Sequence, residues 1–190
     1  MLKHVAKVEV AAATYSERGM IAFAAACCER QLPVYERVGA VAEWGHSETL
    51  RKILNYVWSW LSEEEVSPPV YDFDEAIPPD EPVEGGDAAM NVAGMFDLLL
   101  KLPADYDAQS VGWVAENGLN LLDALLYEVL DLKINSANDE VVHNHELIKL
   151  EIGRQEQDLS LVRDALTANE CFQLRQQSVG RSIFGKLWYP

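Results

Sequence analysis

Glu29 and Arg30 stand side by side in the stretch F-A-A-A-C-C-E-R-Q-L-P-V-Y, residues 23–35, and Arg51 follows on the next apolar-periodic segment. A carboxylate flanked by two guanidiniums can do two kinds of work. In a cleft it is a catalytic carboxylate–arginine pair. Buried or half-buried between helices it is an ion-pair network that fixes their packing. The packing reading is preferred here, and the catalytic one is kept as the alternative. Cys28, next to this pair, could be an activated thiol. With no histidine near it in sequence, a buried structural cysteine is the better reading.

His143-x-His145, with Glu146 beside it, invites a metal. Residues at i and i+2 diverge once a helix begins, so a turn leading into a helix explains them without one. Glu63, Glu64 and Glu65 are consecutive and point around a helix instead of forming a metal box. No metal and no cofactor is expected. The sequence also has no GxGxxG, P-loop, G-x-S-x-G or HExxH. Tyr56, Trp58 and Trp60 could stack bases, but they lack basic neighbours and read as core and rim.

One charge pattern rises above this background. Between Lys52 and Lys101 there is no Lys or Arg, while Glu63, Glu64, Glu65, Asp72, Asp74, Glu75, Asp80, Glu81, Glu84, Asp87 and Asp97 are all acidic. The plain reading is a solvated loop kept soluble by self-repulsion. The sharper one is a docking surface for a basic protein, with Tyr71 and Phe73 as aromatic anchors among the carboxylates. A net charge of −16 argues against nucleic acid and against anionic lipid as partners. A homo-oligomer is compatible with the sequence.

The elements that position these residues are helices. The 190 residues, 49% of them hydrophobic, suit one domain over 1–190 with a sizeable core. Helical signal covers 15–31, with Pro33 ending or kinking the helix and a shorter piece continuing to Trp44. Ser47 is a plausible N-cap for a helix carrying Leu50, Leu54, Val57, Trp58 and Leu61. Five of the eight prolines fall in 67–86, so a long acidic, Pro-rich loop spans about 64–86, pinned by Tyr71 and Phe73.

Helix resumes over 87–101 and 108–132, the latter with Val111, Val114, Leu122, Leu125, Leu126 and Val129 on one face. Residues 135–138 form a polar turn. The cleanest periodicity lies in 144–167, where Ile148, Ile152, Gln155, Leu159, Val162 and Leu166 make a packing seam. A tail over about 170–190 holds Arg175, Arg181 and Lys186 and ends in Leu187, Trp188 and Tyr189. The expected fold is all-α, an irregular bundle of six or seven helices with one long acidic loop. Phe23, Val57, Trp58, Leu122, Leu126, Ile148, Ile152 and Leu159 should share its core. Three cysteines with no CxxC pair read as reduced thiols, and the longest apolar run, 20–28, is too short to span a bilayer. A cytoplasmic protein is expected.

The spacing Cys28-Glu29-Arg30-x-x-Pro33-x-Tyr35 resembles the signature of the YjaG-like bacterial family, DUF416. Leu50-Arg51 with Trp58, and Asn144-His145 through Glu151 to Gln155, are similar to two further blocks of that family. The resemblance implies an all-helical fold of about this length and structural roles for Cys28, Glu29, Arg30, Pro33, Tyr35, Arg51 and Trp58. It implies no reaction. The functional expectation is a non-enzymatic acidic binding protein, best read as an immunity protein that neutralises a basic toxin or effector. Its docking surface would comprise Glu63, Glu64, Glu65, Tyr71, Asp72, Phe73, Asp74, Glu75, Asp80, Glu81 and Glu84. The alternative is a housekeeping protein with a small-molecule or enzymatic site around Glu29, Arg30 and Arg51.

Overall fold

A computed structural model describes residues 1–78, 84–164 and 166–179. Nine helices follow one another there: α1 (Leu2–Ala12), α2 (Glu17–Ala42), α3 (Ser47–Leu61), α4 (Phe73–Ala76), α5 (Gly86–Lys101), α6 (Ala108–Val129), α7 (Ser136–His143), α8 (Glu146–Leu161) and α9 (Ala168–Val179). No strand occurs among the described residues. The fold is all-α, with more helices than the six or seven expected.

The axis of the bundle is α2. It touches α1, α3, α5, α6, α8 and α9, so residues 20–28 are buried on every side. A helix enclosed all round must be apolar all round, which explains the run of Ala, Met, Ile and Cys there. Ser16 caps its start by accepting from the Gly19 backbone N–H at 3.1 Å. Gly19 itself permits close contact with the end of α8, since a Cβ there would sit 2.2 Å from the Val162 carbonyl oxygen.

Pro33 does not end α2. The helix continues through it to Ala42, forgoing the one hydrogen bond that Pro33 cannot donate, and stops at Glu43 in the left-handed conformation. Burial explains the persistence: Val34, Tyr35 and Val38 all sit in the core on the far side of the proline. The hydroxyl of Tyr35 donates to the Ala76 carbonyl at 2.8 Å and accepts from the His46 N–H at 3.2 Å, and its ring is tilted against Trp44.

On α3 the whole expected stripe is buried, together with Ile53, although His46 and not Ser47 occupies the N-cap position. The loop after α3 is broken by the single turn α4, with residues 62–72 and 77–78 irregular and 79–83 outside the described residues. Of the expected core, Phe23, Val57, Trp58, Leu122, Leu126, Ile148 and Leu159 are buried, but Ile152 is only half-buried. Val129, at the end of α6, is 46% exposed.

The other departures lie at helix starts. Asn135 accepts from the N–H groups of Ala137 and Asn138, each at 3.1 Å, and so starts α7 where a polar turn was expected. Thr167 and Glu170 form a reciprocal capping box (Thr167 N–H to Glu170 Oε2 at 2.8 Å, Glu170 N–H to Thr167 Oγ1 at 3.3 Å). It starts α9 and ends the long final helix earlier than expected, at Leu161. At the other end of the chain, α1 packs on α6 through a short face that includes Val5, Val8 and Ala12.

Candidate functional site

Glu29 and Arg30 are neighbours on α2, and successive helical residues point about 100° apart. That divergence splits the expected triad. Arg51 reaches Glu29, whereas Arg30 turns to α8.

Glu29 is a buried carboxylate at the junction of α2, α3 and α9. Its Oε1 accepts from the Arg51 guanidinium, and its Oε2 accepts from Trp58 Nε1 at 3.1 Å. Arg175 on α9 brings its Nε to 3.6 Å from the same Oε2 and also donates to the Asn55 side chain. Arg51 additionally faces Glu36 at 3.5 Å. The residues Trp58, Ser59, Ser62, Glu64, Phe172 and Arg175 line a shallow groove over this junction.

Arg30 lies in the core. Its Nη2 donates to Glu151 Oε1 at 3.0 Å, its Nε reaches the same oxygen at 3.3 Å, and its Nη1 donates to Asp158. Burial disfavours the guanidinium charge, but Glu151, Cys27 and Asp158 more than offset this, so Arg30 stays protonated. The network extends through Gln155, whose Nε2 donates to Glu151 Oε1 and to the Ala115 carbonyl, both at 3.3 Å. His4 on α1 completes it, with Nε2 at 2.8 Å from Gln155 Oε1.

The carboxylates of Glu29, Glu151 and Asp158 are screened from solvent, whereas Glu36 is partly exposed, and both side chains of the Arg30–Glu151 pair are buried. Burial pushes the Cys28 thiol well up from its ordinary value, and pushes Cys27 up too, with Arg30 pulling Cys27 part of the way back. Both shifts disfavour the thiolate form. Pro33 and Tyr35 sit in the same helix and serve its packing.

The two histidines part company at the α7–α8 junction. His143 ends α7 with Nε2 at 3.2 Å from Asp123, while His145 precedes α8 and its Nδ1 accepts from the Leu147 N–H at 3.3 Å. Among the described residues, no group of three or more His, Cys, Asp or Glu side chains could hold a metal ion. Nor is any helix among them long and apolar enough to cross a membrane.

The acidic segment lies on the surface. Glu63, Glu64, Glu65, Asp72, Asp74, Glu75 and Glu84 are all exposed, and Asp80 and Glu81 lie outside the described residues. Glu63 meets Arg18 at 3.3 Å. Asp72 caps α4 by accepting from the Asp74 N–H at 3.0 Å. Tyr71 is half-buried and donates from its hydroxyl to the Ala93 carbonyl at 3.3 Å, so it pegs the loop to α5. Burial pushes that hydroxyl well above its ordinary pKa, with Asp97 adding to the shift. The large apolar side chains that face solvent here are Val66, Val70, which is 97% exposed, and Phe73.

A family model for proteins of unknown function, DUF416, matches residues 13–183. The chain belongs to the DUF416 family. Its fold is similar to that of a DUF416 family protein from Shewanella baltica OS155, with a TM-score of 0.77, covering 90% of this chain and 93% of that one at 20% identity. At that identity the likeness speaks for the DUF416 fold alone. No curated protein matches the chain.

Sequence reasoning missed three residues of these DUF416 centres: His4, Asp158 and Arg175. The spacing of Glu151, Gln155 and Asp158, four then three, carried a signal, because it places a polar stripe on one face of α8. Gln31 is 1% exposed, and neither of its amide atoms has a hydrogen-bond partner among the described residues.

Proposed function

We propose that this DUF416 protein is a non-enzymatic, cytoplasmic binding protein whose acidic face docks a basic protein, as an immunity protein docks the toxin it neutralises. The observation that carries the reading is the exposed, one-signed stretch between α3 and α5. Among the described residues no Lys or Arg lies within ion-pair distance of Glu64, Glu65, Asp72, Asp74, Glu75 or Glu84. Such a surface raises the local concentration of a cationic partner and speeds its encounter. Val70 and Phe73 supply apolar contact that charge does not, and the Tyr71 peg limits the ordering cost on docking. If the partner is a basic toxin, carboxylates seated on its cationic site would also exclude its anionic substrate.

The alternative puts a small-molecule or enzymatic site around Glu29, Arg30 and Arg51, of which Glu29 and Arg51 pair with each other while Arg30 pairs with Glu151 and Asp158.

The test is capture from host lysate with immobilised wild-type protein and with a variant carrying Asp72→Lys, Asp74→Lys and Glu75→Lys. A basic protein retained stoichiometrically by the first and lost by the second, and toxic to cells unless the wild type is co-expressed, is the expected result. Equal retention by both, or a captured protein whose toxicity the wild type does not relieve, contradicts the reading.

A further inference from the structure

A second acidic feature is a groove of about 390 Å³ between α5, α6 and the start of α7. Its apolar surface comes from Met90, Ala124, Tyr127 and Ile134, of which Met90 is 49% and Ile134 86% exposed. Asp87, Asp123 and Asp139 stand around it, and no Lys or Arg lines it. Side chains already hold two of these acids in place: Tyr127 donates to Asp139, and His143 lies 3.2 Å from Asp123. Burial raises the Asp123 carboxyl above its ordinary pKa, with His143 drawing it back, so a further cation would relieve its desolvation.

We infer that this groove is the anchor site for an arginine side chain of the basic partner, a reading that rests on the proposed function and names the contact within it. An arginine has the two parts the groove matches. Its methylene stem covers apolar surface while its head remains beside charge and water. Its planar guanidinium can donate to Asp123 and Asp139 together and face the Tyr127 ring. Asp87 lies at the end of the acidic stretch, so the groove continues the field that would steer the partner in.

The probe is the blocked tripeptide glycyl-arginyl-glycine amide, titrated into the ¹⁵N-labelled full chain. Shifts are expected at Asn91, Ala124, Tyr127 and Ile134, with affinity falling about tenfold in a variant carrying Asp123→Asn and Asp139→Asn, as expected for loss of roughly 1.4 kcal/mol of charge-assisted contact. A variant carrying Asp72→Asn, Asp74→Asn and Glu75→Gln should bind the tripeptide as the wild type does. Shifts concentrated on residues 63–75, or affinity unchanged by the groove substitutions, would overturn the assignment. The two failures are separable. A captured protein partner that binds the groove variant normally removes the groove and leaves the docking function. A groove that takes the tripeptide in a protein that captures no basic partner does the reverse.

Discussion

Arg30 and Glu151, 121 residues apart in the chain, meet in the core with Nη2 3.0 Å from Oε1 and both side chains no more than 1% exposed. The contact joins the central helix to α8, and Asp158 secures the same guanidinium from two turns further along the same face of α8.

Removing the cation should therefore leave the buried Glu151 carboxylate without the guanidinium it faces. Arg30→Ala is expected to cost about 3–5 kcal/mol, the range for breaking a buried pair from one side. Urea denaturation measures it. A loss below about 1 kcal/mol would mean that the network contributes no more than a surface pair.

Gln31 should behave in the opposite sense. Among the described residues its buried amide has no hydrogen-bond partner to offset its desolvation, and Gln31→Met keeps the shape without the polar group. A gain of about 1 kcal/mol is expected in the same denaturation assay. A loss would show that the amide is satisfied in solution.

The seam on α8 predicts a graded response. Leu159 is 4% exposed, and Leu159→Ala should cost about 2–5 kcal/mol. Ile152 is half-buried, and its replacement by Ala should cost distinctly less. Equal losses would place Ile152 in the core after all.

That seam also shows how far the sequence was readable. Periodicity located Ile148, Leu159 and the stripe on α3 because apolar spacing reports burial directly. It misjudged Ile152 because the face turned to α2 is partly polar, held by Glu151, Gln155 and Asp158, and hydrophobicity alone does not register a polar stripe. Pro33 misled because tertiary burial outweighs one missing hydrogen bond. The triad of Glu29, Arg30 and Arg51 was legible as residues but not as a partition, since only the helical phase of α2 and the arrival of α8 and α9 decide who pairs with whom. Asn135 was misread because a cap and a turn use the same short polar residues, and Thr167, taken as the last residue of a long helix, instead caps the next one.

Asp107 gives a pH signature. It caps α6, accepting from the Gln109 and Ser110 N–H groups and from the Ser110 hydroxyl, and these bonds hold its carboxyl below the ordinary value of 3.8. A carboxyl lowered on folding adds stability above its unfolded pKa and loses it as pH falls through the folded one. The cap is worth about 1 kcal/mol near neutrality, so the Tm difference between wild type and Asp107→Ala should be present there and shrink below the ordinary value. A difference that stays constant into strong acid would contradict it.

The docking reading is tested most directly by the association rate constant with the purified captured partner, measured across ionic strength. The exposed acids at 63–75 act mainly before contact, over a range set by a Debye length of about 10 Å at 0.1 M salt. The account predicts a rate that falls steeply with added salt in the wild type and is slow and nearly flat in the variant carrying Asp72→Lys, Asp74→Lys and Glu75→Lys. It also predicts an unchanged urea midpoint for that variant. A wild-type rate independent of salt, or the same steep dependence in the variant, would contradict the claim that this acidic face is where the partner docks.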